Sequence, residues 1–127
     1  DLGAKLQLIR CRALVEFHLG VEAHHLLRHA VDLEQGRVSR FAQDVRACAL
    51  GQASASVLGG LVIGKSGAEL VRAREELSAM LKGAEPPAPP FDGFSVLLAA
   101  RDYTNRHASI LLALDATLAA IAQAEAA

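Results

Sequence analysis

The chain is poor in aromatic residues. Its 127 residues include no tryptophan, one tyrosine and four phenylalanines, 4% in all. That excludes a core organised around stacked rings. Leu, Val, Ile and Ala must fill the interior, within a hydrophobic content of 52%. Cysteine is nearly absent, with Cys11 and Cys48 alone. Two thiols without Cys-x-x-Cys spacing exclude a disulfide framework, a zinc-knuckle pair and a thioredoxin-type dithiol. One disulfide is open to them, but a reducing, cytoplasmic compartment is the simpler expectation. Neither sign of charge dominates: 13 Lys and Arg stand against 14 Asp and Glu, for a net charge of −1. No Lys/Arg block forms a basic stripe, so nucleic acid is not expected as a partner. Long apolar runs are missing as well. The closest, Ala108 to Ala122, falls short of the roughly 20 residues of a membrane span and contains Asp115. Neither a membrane partner nor a signal peptide is read from the sequence.

What is present fits a single domain with a modest core. Ala4 to Leu19 reads as a helix, with Leu2, Leu6, Ile9, Ala13 and Phe17 at near-helical spacing and Gly20 as its stop. Leu26 to Leu33 alternates like a strand, with Leu27, His29, Val31 and Leu33 on one face. Glu34-Gln35-Gly36 is a turn signal and Val38 to Val45 a second strand, so the pair predicts a hairpin. Gln52 to Ile63 reads as a helix weakened by Gly59-Gly60. Ser66 and Glu69 fit a capping box ahead of the stripe Leu70, Ala73, Leu77, Met80 and Leu81, and Gly83 supplies the stop. Glu85 to Pro90 is a Pro-rich linker. Phe94 to Ala100 reads as a short helix. Thr104 to Ala122 reads as a longer one that buries Ile110, Leu111, Leu114, Leu118 and Ile121. Strands followed by helices predict an α+β domain: a small antiparallel β-sheet with helices packed on one face and a helical C-terminal half.

Three features bear on chemistry. Cys48 stands where a strand gives way to the small-residue helix Ala53-Ser54-Ala55-Ser56. A helix N-terminus offers unpaired N–H groups and a positive dipole end, which favour a thiolate. The same residue also reads as a small buried hydrophobe. Gly59 to Ser66 matches the phosphate-binding pattern G-x-x-x-x-G-K-[ST], whose amides would wrap phosphates. Its variable positions Leu61, Val62 and Ile63 are apolar, and Ser54 to Leu58 makes a poor buried strand before it. A turn between two helices, with Ser66 as N-cap, is the competing reading; a P-loop nucleotide binder is the remote alternative. Finally, His18, His24, His25, His29 and His107 are scattered over separated segments. Each reads singly as a surface or core histidine, and several together with Cys48 make a metal site conceivable.

From about Gln35 to Ile121 the chain resembles the IscU/NifU/SufU-like iron–sulfur cluster assembly scaffolds. The matching pieces are Gly36-Arg37-Val38-Ser39-Arg40-Phe41, Ala47-Cys48 with Ala53-Ser54-Ala55-Ser56, and Ile63-Gly64-Lys65-Ser66. Glu76 to Leu81 and Arg106-His107-Ala108-Ser109-Ile110-Leu111 follow in order. The resemblance implies one NifU N-terminal-like (IscU-like) domain over 1–127 and the same small sheet with helices on one side. It implies a scaffold or carrier rather than an enzyme with turnover: sulfur is received from a cysteine desulfurase, a transient iron–sulfur cluster is assembled with iron, and acceptor proteins take it. It also implies that the family's Gly-Lys turn accounts for the phosphate-loop pattern.

Site residues follow one at a time from that resemblance. Cys48 matches the family's central cysteine, the sulfur acceptor and metal ligand. The first ligand segment falls on Ala23-His24-His25, where its cysteine is missing and His25 stands at the aspartate position. The third cysteine is missing too. His107 falls at that position or at the preceding histidine, with Ala108 then in place of the cysteine. Cys11 matches no ligand. A cluster wants about four ligands, mostly thiolates. One aligned thiolate with His107, His25 and His24 suits zinc or a single iron at least as well. A zinc-binding sulfur-transfer protein and a site-degenerate interaction module therefore stand as alternatives. A cluster held with an external thiol, or across a homo-oligomer, stays open.

Overall fold

The computed structural model describes residues 13–19 and 25–126, with the backbone alone at 18, 19 and 25. Cys11, His24 and the side chains of His18 and His25 lie outside the described residues. Among the described residues three strands precede the helices: β1 (Ala13–Leu19), β2 (His25–Glu34) and β3 (Arg37–Arg46). They form one antiparallel sheet in the order β1-β2-β3. Three α-helices follow: α1 (Ala49–Gly59), α2 (Gly67–Leu81) and α3 (His107–Ala126). Two 3₁₀ segments, Asp92–Asp102 and Thr104–Arg106, bridge α2 and α3. The domain is α+β with a helical C-terminal half, as its sequence predicts.

One element departs from expectation. Ala13 to Leu19, the described part of the helix expected over Ala4 to Leu19, is the strand β1, and Ala4 to Arg12 lie outside the described residues. The reason is a second period in the same residues. Ala13, Val15 and Phe17 turn to the core while Leu14 and Glu16 turn outward, the alternation of a half-buried strand. Pairing with β2 in the register Ala13↔Val31 and Phe17↔Leu27 fixes that choice. The hairpin between β2 and β3 turns on Gln35 and Gly36, both at positive φ (53° and 76°), as a two-residue hairpin turn requires.

The core lies between the inner sheet face and the helices. Leu27, His29, Val31 and Val38 of the sheet are buried there. Above them runs α3, which packs on β1, β2, α1 and α2. It buries Ile110, Leu111, Leu114 and Ile121 as expected, with Leu118 partly buried, and adds Leu112, Ala113, Ala116 and Ala120. Extended by its 3₁₀ lead, Thr104–Ala126 is long and apolar enough by composition to cross a membrane, yet 56% of its most apolar window is buried in this fold. The segment 92–102 is 3₁₀ rather than α for a legible reason. Its apolar residues Phe91, Phe94, Leu97 and Ala100 recur every third position and all are buried, the periodicity of a three-residue turn.

The loop before α2 settles the phosphate-pattern question. Gly64 N–H donates to the Val38 carbonyl at 2.8 Å and Lys65 N–H to the Val62 carbonyl at 3.1 Å. Ser66 N–H donates to Glu69 Oε1 at 3.1 Å, while Ser66 Oγ accepts from Glu69 N–H at 3.2 Å. These amides are spent inside the protein, and a helix rather than a strand precedes them, so no phosphate cradle exists. Arg37 clamps the turn, donating to the Gly64 carbonyl at 2.8 Å and to Glu69 at 2.7 Å. The Ser66 amide first, and then the Arg37 guanidinium, hold the Glu69 carboxyl below its usual range. Removing the cap with Ser66→Ala is expected to cost about 1 kcal/mol, read as a lower urea midpoint at unchanged slope.

His29 is the polar residue in the core with least support. It is fully buried, its ring lies 5.7 Å from that of Phe41, and neither ring nitrogen has a hydrogen-bond partner in the structure. Burial pushes its pKa from 6.5 down to about 4, the nearby Gln43 amide offsetting only part of this. The folded protein therefore resists protonation that the unfolded chain accepts. The contribution of neutral His29 to stability is expected to be complete above pH 6.5 and to be lost as pH falls through about 4. The full loss is about 3 kcal/mol. His29→Leu should flatten that part of the profile and leave stability at pH 7.5 unchanged or higher. Equal acid sensitivity in urea melts of both proteins would contradict this.

Candidate functional site

The site is built where the sheet hands over to α1. β3 ends at Arg46 and Cys48 is the N-cap of α1, with φ −65° and ψ 170°. Its carbonyl accepts the first helical bond from Gln52 N–H at 2.9 Å, while its thiol makes no capping bond. The side chain is therefore left to point elsewhere. It is half-buried, not enclosed, and its Sγ lies 3.6 Å from Ser109 Oγ on the first turn of α3. At this terminus the unpaired amides of α1 favour negative charge.

The closeness of α1 to α3 comes from small residues. Gly51, Ser54 and Ala55 of α1 are buried. Ser54 Oγ–H donates to the Ile110 carbonyl at 2.6 Å, tying the helices one residue beyond Ser109. A Cβ on Gly51 would stand 2.8 Å from Ala47 Cβ and 2.9 Å from Ser109 Oγ, closer than real Cβ atoms come. Gly51 thus permits the approach that sets Ser109 against the thiol. Neither Gly51 nor Ser109 was singled out as a site residue by sequence reasoning. Gly51 falls just outside the helix expected from Gln52, and Ser109 reads as part of a matching His-Ala-Ser run.

The histidines are distributed unequally. His25 opens β2, and its neighbour Leu26 pairs with Arg46, two residues before Cys48. The register thus carries the backbone of His25 to the sheet end that holds Cys48. His107 opens α3, two residues before Ser109, but its ring turns toward the preceding 3₁₀ segment. Its Nε2 lies 3.0 Å from the Arg101 carbonyl and 3.2 Å from the Ala100 carbonyl. A nitrogen facing two carbonyls carries the proton, which leaves Nδ1 as the atom able to bind a metal, an arrangement common for histidine ligands. His107 and Ala108 border a half-open groove of about 460 Å³ between α2 and α3. Among the described residues no group of three or more His, Cys, Asp or Glu is gathered to hold a metal ion. They supply one thiol at this place, short of the donor set of a cluster.

No family sequence model matches the chain, and no curated protein matches it by sequence. Solved structures do. The N-terminal part of a nitrogen-fixing NifU-like protein from Brucella abortus shares 36% identity, with 92% of this chain and 81% of that one covered and a TM-score of 0.83. A hypothetical protein at 23% identity superposes with a TM-score of 0.77 over 87% of this chain and 81% of its own. A proposed iron–sulfur cluster assembly scaffold protein for the SUF system, from Fervidobacterium islandicum AW-1, has the same fold at 17% identity. Its TM-score is 0.77, and 88% of this chain and 82% of that one are covered. The three-stranded sheet with helices on one face is thus shared architecture. The chain belongs to the NifU-like family, as a member of its N-terminal domain type.

Gly51→Ala tests the close approach. Alanine favours a helix interior by about 1 kcal/mol over glycine, but overpacking costs roughly 1–3 kcal/mol, and the Ala47 contact cannot rotate away. A net loss of stability is expected in thermal melts, together with a changed alkylation rate at Cys48. A stabilised variant would show that the helices are free to separate there.

Proposed function

We propose that this protein is an iron–sulfur cluster assembly scaffold-like protein in which Cys48 accepts sulfur and holds iron for transfer to acceptor proteins. The observation that supports this most is the placement of Cys48. The N-cap residue of α1 carries a half-buried thiol, beside a second helix, at the sheet end reached by the backbone of His25. Family membership supports the class, and the SUF-system neighbour supports the cargo. Iron and sulfur are substrates here. His107, through Nδ1, and the His24-His25 segment are the further ligands proposed.

The sulfur step balances without an external oxidant. The Cys48 thiolate attacks the outer sulfur of a persulfide on a cysteine desulfurase. The new S–S bond forms as the old one breaks, and the donor cysteine leaves as a thiolate. Cys48 carries away the sulfur and its proton as a persulfide. The amides at the start of α1 favour the attacking anion.

The test uses a Cys11→Ser background, so that Cys48 is the one thiol. Protein is incubated anaerobically with a desulfurase, cysteine and ferrous iron, then read by visible absorption and intact mass. Gain of one sulfur and of colour is expected. Both should vanish in Cys48→Ser. Sulfur uptake that survives Cys48→Ser, or none in the parent, would sink the proposal.

A further inference from the structure

We propose that Gln43, Gln52 and Gly59 are positioning residues for Cys48: two glutamine arms clasp α1 to β3 and fix the place where the thiol meets its sulfur donor. The inference rests on the reading of Cys48 as sulfur acceptor. The arms run in opposite directions across the junction. Gln52 of α1 reaches back, and its Nε2 donates to the Val45 carbonyl of β3 at 2.8 Å. Gln43 of β3 reaches forward, and its Nε2 donates to the Ala55 carbonyl of α1 at 2.8 Å. Both partners are carbonyls, so each arm presents its NH₂ end to them. Gln52 also donates its backbone N–H to the Cys48 carbonyl at 2.9 Å. One residue thus grips the chain at Val45 with its side chain and at Cys48 with its backbone. Arg46 and Ala47 are the span between those two points.

Two observations mark this as a built clasp. The arms cross a half-open cavity of about 260 Å³ lined by Gln43, Val45, Gln52, Ala55 and Ser56, which side-chain packing leaves unfilled. The helix also leaves room for an arm. A Cβ on Gly59 would stand 2.9 Å from Gln43 Nε2, whereas a Cβ on Gly60 would have 3.6 Å to its nearest neighbour. Glycine is a poor helix former, and at Gly59 its missing side chain is the seat of the Gln43 amide. The consequence falls on the thiol. The amides at the start of α1 favour a thiolate only while Sγ stays beside them, because that field fades within a turn. Holding the loop therefore sets the thiolate fraction, and with it the rate of attack on a donor persulfide.

The test uses the Cys11→Ser protein, so that Cys48 is the one thiol. Its alkylation by iodoacetamide is followed against pH, and sulfur uptake from a desulfurase with cysteine is timed by intact mass. Gln52→Met keeps the length of one arm and removes its donor. Gly59→Ala pushes the far end of the other arm off its carbonyl while giving the helix a better former, and Gly60→Ala is the control. Gln52→Met and Gly59→Ala should each raise the midpoint of the alkylation profile by about half a pH unit and slow sulfur uptake about threefold near neutral pH. Gly59→Ala should do so with no fall in melting temperature, and Gly60→Ala should match the parent in both readouts. The clasp is overturned by a parental alkylation profile in either variant, by the same shift in Gly60→Ala, or by a shift in Gly59→Ala that comes with lost stability. Moved profiles with sulfur uptake at the parent's rate overturn the positioning role. Moved profiles with no uptake in the parent overturn instead the reading of Cys48 as sulfur acceptor.

Discussion

The structure depends on how closely α1 can approach α3. Two α-helices ordinarily pack 8–10 Å apart, with side chains between them. Here Gly51 puts no side chain in the way, and Ser54 spends its hydroxyl on the Ile110 carbonyl. That contact fixes the start of α3 against the N-cap of α1. Cys48 and Ser109 meet because of it. The first turn of α3 has three consecutive residues with three different surroundings. His107 turns to the carbonyls of the 3₁₀ segment, Ala108 borders the groove beside α2, and Ser109 meets the thiol.

The sheet makes the other half of the arrangement. β3 is an edge strand, yet its edge is not left open. Gln52 Nε2 donates to the Val45 carbonyl at 2.8 Å, and the Gly64-Lys65 backbone bonds Val38 at the far end. These bonds blunt an edge that would otherwise invite pairing and tie α1 and the loop before α2 to the same strand. The phosphate-like Gly-Lys-Ser run is thus a structural clasp. Its amides bind the protein itself, and Arg37 and Glu69 close it from the side. His29 sits beneath this frame with neither ring nitrogen hydrogen-bonded, and neutrality is the condition of its burial.

Much of this was legible in the residues. The hairpin followed from alternation around Gln35-Gly36, because two residues at positive φ need that chemistry. The α2 cap followed from Ser66 and Glu69, whose side chains act within one turn of chain. The order of segments around Cys48 carried the resemblance to the NifU-like family that the structural comparisons support. β1 was misread because Ile9, Ala13 and Phe17 satisfy a helical period while Ala13, Val15 and Phe17 satisfy a strand's, and only the neighbour β2 selects between them. The 3₁₀ segment was read as helix without its type, although Phe91, Phe94, Leu97 and Ala100 carry its period openly.

The sequence by itself determined the local elements, since caps, turns and apolar periods act over a few residues through backbone sterics and short hydrogen bonds. It also determined that a thiol would stand at a helix start. What surrounds that thiol was decided only by tertiary structure. Cys48 and Ser109 are 61 residues apart, and their 3.6 Å contact depends on two helices meeting at a glycine. The direction of the His107 ring depends on carbonyls of a 3₁₀ turn, and the groove beside it on the separation of α2 from α3. Such contacts belong to packing between elements, and no spacing along the chain encodes the distance at which two packed surfaces come to rest.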